Sequence, residues 1–173
     1  MDFPIEVAFI SDDTLRPVAD LFHAEWPDSG WSSETVDVML RPVPVAYPVV
    51  VKVATAGGRV GAAIAFEVAP RGFNVLRIAV SPQWRRRGVG RYLVEASVGH
   101  LAVSAASARR RIRTVVNEYD VRAQLFFRAL GFAVGTGKKG INKISPDNDG
   151  RDWYVFDRLV RVAKPRGHVA ASV

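Results

Sequence analysis

The segment from Ile78 to Arg91 has the composition of an anion-binding turn. It joins the end of an apolar, strand-like run to the start of a helical pattern, and it is rich in arginine and glycine. The first N–H groups of a helix have no intrahelical partner, and the helix dipole adds positive potential there. Gly88 and Gly90 carry no side chain that would hold an anion away from these N–H groups. We therefore predict a phosphate cradle with arginines that neutralise the remaining charge; the alternative is a run of solvated charges.

Two better-known phosphate signatures are incomplete in this chain. A dinucleotide-binding G-x-G-x-x-G that began at Gly88 would need a third glycine where the chain has Leu93. The run 135–138 has part of a P-loop pattern, but Phe132 replaces its upstream glycine and Lys139 replaces its Ser or Thr. We expect residues 135–138 to be a flexible loop instead.

The apolar periodicity predicts the elements that must position the cradle. The predicted strands are 5–10, 49–55, 60–68, 74–80, 112–116, a short one from 132 and 153–160, and the predicted helices are 14–26, 32–40, 88–103 and 121–130. The order lacks the strand–helix alternation of a doubly wound fold, which favours an α/β protein of the α+β kind. We expect one domain over residues 1–163 and a flexible tail over 164–173.

The net charge of +7 lies in two arginine clusters. The first cluster, Arg85–Arg87 and Arg91, belongs to the cradle. The second is Arg109–Arg113, which consists of four arginines and one isoleucine. The rest of the chain is close to neutral, which argues against a nucleic-acid-binding face. The predicted helix between the clusters would be about 24 Å long at ~1.5 Å per residue. We expect the second cluster to be a solvated loop far from the cradle; contact with an acidic partner or nucleic acid is the alternative.

Several classes of protein are excluded or disfavoured by composition. The chain has no cysteine, which excludes disulfide scaffolds, thiolate zinc sites and cysteine nucleophiles. His23, His100 and His168 lack the spacing of metal ligands, so we expect no metal. The first residues do not resemble a signal peptide and no apolar run approaches ~18 residues. We expect a cytoplasmic protein that does not contact a membrane.

Two motifs resemble those of the GNAT superfamily of acyl-CoA-dependent N-acyltransferases. Residues 85–90 match [RQ]-x-x-G-x-[GA], and residues 78–82 match its L-x-V-x-P lead-in. Residues 120–132 resemble the N-x-x-A-x-x-x-Y-x-x-x-G-F motif. Within the superfamily, the run 146–152 is similar to the P-x-x-D-G-R-E-D segment of ribosomal-protein alanine N-acetyltransferases.

The resemblance implies a GNAT fold, which is a central, mixed, mostly antiparallel sheet of about seven strands with about four helices. It also implies that acetyl-CoA lies in a splay between two parallel strands and gives its acetyl group directly to an amine. No metal takes part in this reaction. A backbone N–H would stabilise the oxyanion. The positions that match the cofactor-binding residues are Ile78, Ala79, Val80, Arg85, Arg86, Arg87, Gly88, Val89, Gly90, Arg91, Asp120 and Phe127.

The chain departs from the resemblance at the positions of acid–base chemistry. The family's glutamate base falls on Val115, its motif tyrosine on Phe127 and its motif asparagine on Asp120. Glu118 and Tyr119 are the substitutes that we predict to be catalytic, and Glu67 is another acid on a neighbouring strand. The alternatives are that Glu118 is a solvated loop acid, that Tyr119 packs on the helix, or that water carries the proton.

The acceptor side of the site has less motif content. Trp26 and Trp31 flank the break between the first two helices and could line a substrate groove or pack in the core. Arg77 alternates with core residues, so it either faces the groove, where it would favour an anionic acceptor, or forms a salt bridge at the sheet edge.

Three functions remain open at this stage. The first is an N-acetyltransferase that acts on a primary amine, either a protein N-terminus or a small molecule. The second is a catalytically impaired GNAT-fold module that binds acyl-CoA as a sensor or partner subunit, and the third is a nucleic-acid-associated protein. The acceptor, the acyl chain and the oligomeric state, including a homodimer, are not determined by the sequence.

Overall fold

The computed structural model describes residues 5–25, 49–69, 72–103, 109–137, 140–141, 143–144 and 153–161. The helices are α1 (Asp12–Glu25), α2 (Val89–Val103) and α3 (Val121–Ala129), and a 3₁₀ turn spans Pro82–Trp84. The strands are β1 (Glu6–Phe9), β2 (Val49–Ala56), β3 (Arg59–Ala69), β4 (Gly72–Val80), β5 (Arg109–Asn117), β6 (Ala133–Val134), β7 (Thr136–Gly137), β8 (Gly140–Ile141), β9 (Lys143–Ile144) and β10 (Trp153–Arg161). The predicted helix over 32–40 and the predicted tail over 164–173 lie outside the described residues.

The main sheet has the strand order β1-β2-β3-β4-β5-β10-β6, and β9 also pairs with β10. Adjacent strands of this sheet are antiparallel, except for β4 and β5, which run parallel. This confirms the prediction of a mixed, mostly antiparallel sheet with one parallel pair. The expectation of a loop over residues 135–138 is wrong in part, because Thr136 and Gly137 form β7, which pairs with β8. Strands of two residues are too short to show a periodicity in the sequence.

Apolar residues cover both faces of the sheet. On one face, Phe22 and the rest of the α1 stripe pack on alanines of β3, among them Ala63 and Ala65. On the other face, α2 and α3 pack on larger side chains, among them Ile64 and Phe66. Successive residues of a strand point to opposite faces, so β3 alternates between these two cores. The face that carries α1 is called the α1 face below.

The strand β5 is longer than predicted and contains the second arginine cluster. It begins at Arg109 and lies between β4 and β10, so the expectation of a solvated loop over Arg109–Arg113 is wrong. Ile112 and Thr114 are buried while Arg111 is exposed, which is the alternation of a strand. Because β5 runs parallel to β4, this cluster does lie at the end of the sheet opposite to the cradle, as expected.

Candidate functional site

A wedge-shaped gap opens between β4 and β5 inside the sheet. The two strands pair only from Gly72–Arg111 to Val75–Thr114. Beyond that point β4 stays paired with β3, and β5 stays paired with β10. The two strands therefore separate towards their carboxyl ends while each is held by its outer neighbour. We call this space the splay, the pair Val75–Thr114 its vertex and the carboxyl ends of the strands its mouth.

A bulge in β4 accounts for the start of the splay. Val75 lies opposite Phe66 and Arg77 lies opposite Ala65, so Leu76 is an extra residue on the β4 side. A bulge bends its strand and increases its twist, which turns β4 away from β5. The hydroxyl of Thr114, which is 5% exposed, donates to the Val75 carbonyl at 3.3 Å. This hydrogen bond fastens the two strands at the vertex.

The edge of β4 that faces the splay has backbone groups with no β5 partner. Ser81 N–H donates across to Gly61 on the β3 side at 2.8 Å. Because antiparallel strands alternate between bonded and non-bonded pairs, the N–H and C=O of Val80 and Ile78 point the other way, into the splay. The Val80 carbonyl accepts from Arg85 Nε at 2.9 Å, which agrees with this direction. Ile78 can thus pair with an extended ligand in the manner of a neighbouring strand.

The turn between β4 and α2 has the backbone shape of an anion site. Arg86 and Gly88 have φ values of 62° and 80°, in the left-handed region, before α2 begins at Val89. Successive N–H groups in such a turn converge on one side and can bind an anion. A Cβ on Gly88 would meet no atom within 4 Å, so the space beside this residue is open.

The N–H groups at the start of α2 have no hydrogen-bond acceptor within the backbone of the turn. Within the described residues, backbone hydrogen bonds of the turn run from Trp84 to Ser81 and from Arg85 to Pro82, and the next one runs from Tyr92 to Gly88. The N–H groups of residues 88–91 thus have no backbone acceptor there, as expected for the first turn of a helix. These four groups and the helix dipole favour an anion at this position.

Trp84 anchors the turn to the sheet. It is only 6% exposed, although it belongs to a surface turn. Its indole ring lies directly over Gly61 of β3, where a Cβ would come within 2.1 Å of a ring atom. Glycine at position 61 is therefore required for this packing, and the position of the turn depends on it.

Gly90 also has a role in packing. A Cβ at this position would lie 3.1 Å from the Phe126 ring of α3 and 3.5 Å from a Val80 methyl group. Its missing side chain lets α2 approach α3, whereas the open space beside Gly88 fits the predicted approach of an anion.

The four arginines of the first cluster divide into two pairs. Arg85 binds the Glu25 carboxylate at the end of α1 and the Val80 carbonyl, and Arg91 donates to the Ala129 carbonyl at the end of α3 at 3.3 Å. These two side chains connect the turn to its neighbours. Arg86 and Arg87 are exposed on the turn itself. Their positive charges add to the potential at the start of α2.

The mouth of the splay contains the predicted catalytic pair. Glu118 and Tyr119 follow β5, and the Tyr119 side chain is 75% exposed. At ~3.3 Å per strand residue, this turn lies roughly 13 Å or more from the vertex. Asp120 caps α3 by accepting from Ala123 N–H at 2.9 Å. These three residues thus lie at the mouth of the splay and not at the vertex.

Phe127 packs in the core. It is 3% exposed and makes edge-to-face contacts with Phe126 and Phe132, each with ring centroids 5.1 Å apart. Its side chain contributes apolar packing to α3 and supplies no proton donor.

The α1 face of the splay is polar near the vertex. Arg77 is half-buried there, burial lowers its pKa, and its Nη1 donates to the Leu76 carbonyl at 2.9 Å. Val115 of β5 is 36% exposed on the same face. Three more polar residues lie near the vertex, namely Asn74, Thr114 and Asp157. The sequence analysis did not identify them. The only signal in the sequence was that each is a single polar residue within a strand pattern. Trp26 and Trp31 lie outside the described residues.

Two negative findings concern the described part of the chain. No helix there is long and apolar enough to cross a membrane. No group of three or more acidic or histidine side chains among those residues could hold a metal ion.

One family model matches the chain, and several solved structures share its fold. Residues 47–134 match the model of the acetyltransferase (GNAT) domain. The structure is similar to the ribosomal-protein-S18-alanine N-acetyltransferase of Escherichia coli, with a TM-score of 0.67 at 17% identity over 95% of this chain and 99% of that one. It is also similar to PaiA N-acetyltransferase of Thermoplasma acidophilum in complex with coenzyme A, with a TM-score of 0.69 at 14% identity over 91% and 99%. A third similar structure is NAA60 of Arabidopsis thaliana in complex with a bisubstrate analogue. Its TM-score is 0.70 at 14% identity over 92% of this chain and 99% of that one. The comparison with curated proteins returns no match.

Proposed function

Because the chain belongs to the GNAT family of acetyltransferase domains, we propose that it transfers an acetyl group from acetyl-CoA to a primary amine. The observation that carries the proposal is the splay with a phosphate-binding turn at its mouth. The start of α2, with left-handed Arg86 and Gly88 before it, offers N–H groups to a pyrophosphate. The edge of β4 beyond the vertex offers the N–H and C=O of Ile78 and the N–H of Val80 to a pantetheine chain. In this proposal acetyl-CoA enters at the mouth and its thioester reaches towards the vertex.

The chemistry asks two things of the protein. The acceptor must lose a proton, because only a neutral amine can attack the thioester carbon. The nitrogen–carbon bond then forms, the carbon–sulfur bond breaks, and the departing thiolate takes a proton. The N–H of Ile78 points into the splay and would donate to the oxyanion in this arrangement. One such donor is worth about 3–4 kcal/mol of transition-state stabilisation in other acyl-transfer enzymes.

We propose a protein N-terminus or a small-molecule amine as the acceptor. The match of residues 146–152 to the alanine N-acetyltransferase segment favours a peptide N-terminus. One of the similar structures is an alanine N-acetyltransferase, which supports the same choice. Peptides that begin with alanine are therefore the first acceptors to assay.

Acetyl-CoA binding and transfer are tested in two steps. Acetyl-CoA at 1 mM should raise the melting temperature of the protein. Gly88→Val should abolish this rise, because its side chain would occupy the open space at the cradle. Release of free thiol should then depend on an acceptor from a panel of alanine-, serine- and methionine-initiated peptides, spermidine and kanamycin. No rise in melting temperature at 1 mM would contradict the proposal.

A catalytically impaired acyl-CoA-binding module is the second candidate. This candidate is favoured by the loss of two proton-transferring side chains. Where the family has a glutamate and a tyrosine, this chain has Val115 and the buried Phe127, and neither can transfer a proton. Stabilisation by acetyl-CoA without thiol release from any acceptor of the panel would favour this module over the enzyme.

A further inference from the structure

The α1 face of the sheet is exposed along part of β5 and β10. Helix α1 packs on β3 and β4, and none of the residues described in the core beneath it belongs to β5 or β10. Val115, the first residue of β5 beyond the vertex, is 36% exposed on this face, and Leu159 of β10 is 69% exposed. Arg111, which lies directly opposite Leu159, is exposed as well. A further molecule therefore has access to this part of the face.

The pairing of β5 with β10 concentrates positive charge on this face. Arg113 lies opposite Asp157 and donates to both of its oxygens, at 2.9 and 3.5 Å. Two residues away on β5 is Arg111, which takes part in none of the salt bridges between described residues. The next pair on the same face is Arg109–Arg161. We call these alternate residues, from Arg109 to Val115 on β5 and from Asp157 to Arg161 on β10, the arginine face. It holds four arginines and one aspartate, a net charge of +3.

Two of these arginines, Arg109 and Arg161, are directly opposed. Like charges at opposed positions of a sheet destabilise the pair. A carboxylate bound between them would offset this repulsion, since guanidinium groups bind carboxylates through paired hydrogen bonds. Asp157 lies in the middle of the arginine face, and none of the positions of this face has an aromatic side chain on which bases could stack. These two features favour an acidic peptide over single-stranded RNA as the ligand.

The arginine face is continuous with the splay. In the proposed function the thioester reaches towards the vertex, and Val115 is the next residue of β5. The acceptor amine must come into bonding distance of that thioester, and the other face of the sheet is filled by α2 and α3. Arg111 is four strand residues from Val115 and Arg109 is six, which is roughly 13 and 20 Å at ~3.3 Å per residue. An extended peptide has the same rise per residue, so its residues 5–8 would lie along the arginines.

We propose that the acceptor is a polypeptide with acidic side chains a few residues after its N-terminal amine, and that the arginine face binds this acidic segment. This rests on the proposed function and names the class of its substrate. The amine lies in the splay next to Val115, and the chain beyond it runs along β5 towards the end of the sheet opposite to the cradle. Arg111 binds the first carboxylate, and the positive potential at the pair Arg109–Arg161 attracts the next. The arginine face contributes to acceptor binding and takes no part in the transfer of the acetyl group.

The test uses three acceptor peptides that share the first four residues, Ala-Ala-Gly-Ser, and carry only Glu, only Gln or only Lys at positions 5–8. At low salt, the KM of the Glu peptide should be about tenfold below that of the Gln peptide, because exposed ion pairs are worth roughly threefold each. The kcat should be the same for both, and the Lys peptide should have the highest KM. The difference in KM should largely disappear at about 0.5 M NaCl, since salt screens exposed charges.

Arg111→Gln tests whether the arginine face causes this preference. It should raise the KM of the Glu peptide about threefold and leave the KM of the Gln peptide, the melting temperature and the acetyl-CoA Kd unchanged. The matched control is Arg128→Gln, which removes an exposed arginine of α3 on the other face of the sheet and should change none of these values. The Kd of a fluorescein-labelled Glu peptide, measured by anisotropy in the presence of CoA, should follow the KM.

Each outcome decides a separate point. Equal KM values for the Glu and Gln peptides at low salt, in a protein that acetylates both, would show that the inference is wrong and leave the proposed function standing. An equal loss of Glu-peptide binding in Arg128→Gln and Arg111→Gln would overturn the assignment to this face. An octauridylate RNA that binds more tightly than the Glu peptide, and loses affinity in Arg111→Gln, would overturn the choice of a peptide. If the wild-type protein acetylates no peptide and no other amine, the proposed enzymatic function fails and this inference fails with it.

Discussion

Gly61→Ala tests whether the packing of Trp84 sets the position of the phosphate-binding turn. The added Cβ would lie 2.1, 2.2 and 2.3 Å from three atoms of the indole ring. Carbon atoms in contact need about 3.5–4.0 Å, so the ring must move by more than about 1 Å. Trp84 is part of the core cluster beneath α2, which limits where the ring can go.

The expected cost of Gly61→Ala follows from that displacement. Overpacking of this kind destabilises a protein by about 1–3 kcal/mol. For a chain of this length, each kcal/mol lowers the melting temperature by roughly 2–4 °C. Moving Trp84 also moves the turn that follows it, and we expect the Kd for acetyl-CoA to rise about tenfold or more, which corresponds to about 1.4 kcal/mol.

The assay combines thermal unfolding with calorimetric titration of acetyl-CoA. The matched control is Gly99→Ala in α2, because a Cβ there would meet no atom within 4 Å. This control should leave the Kd unchanged and raise stability by about 0.5–1 kcal/mol, since alanine is favoured over glycine inside a helix. Wild-type stability and a wild-type Kd in Gly61→Ala would refute the claim that Trp84 anchors the turn.

Two further substitutions test the vertex and the core. Thr114→Val removes the hydroxyl that donates to the Val75 carbonyl at 3.3 Å. We expect this variant to lose about 1 kcal/mol of stability in urea unfolding and to have a lower kcat. An unchanged urea midpoint together with an unchanged kcat would contradict the role of this hydrogen bond. Phe127→Tyr adds a hydroxyl to a side chain that is 3% exposed. We expect the free energy of unfolding in urea to fall by about 1–3 kcal/mol and kcat not to rise. A rise in kcat would show that position 127 reaches the reacting groups.

The parts of the fold that could be predicted from the sequence are those with local causes. The segment from Ile78 to Arg91 combines the end of a strand, a glycine that needs a positive φ and the start of a helix, all within neighbouring residues. The strands β2, β3 and β4 were predicted to within two residues at each end because they alternate between two cores. Gly131, with φ of 80°, ends α3 near the predicted position.

The parts that could not be predicted depend on partners far away in the chain. The bulge at Leu76 exists only in the register between β3 and β4. The beginning of β5 was hidden by its arginines, whose place in a strand depends on pairing with β10. Arg85 was predicted to neutralise a phosphate, but its contact with Glu25, 60 residues away, could not be read from either segment alone. The alignment of Glu67, Asn74, Arg113 and Asp157 across the sheet has the same cause, because these residues come from four strands.

The two arginine clusters contribute to the turn and to the sheet in different ways. The first cluster contributes Arg86 and Arg87 to the surface of the turn, while Arg85 and Arg91 hold the turn against α1 and α3. In the second cluster, Arg113 is paired with Asp157 of β10. A positive net charge in this chain is therefore compatible with a small anionic ligand and with structural pairs inside the sheet.

A crystal structure with acetyl-CoA bound tests the central claim most directly. We expect pyrophosphate oxygens within about 3 Å of at least two N–H groups among residues 88–91, and a thioester carbonyl that accepts from Ile78 N–H. We also expect the pantetheine to run along β4 inside the splay. Acetyl-CoA bound elsewhere on the molecule, or bound with its phosphates away from the start of α2, would contradict the account.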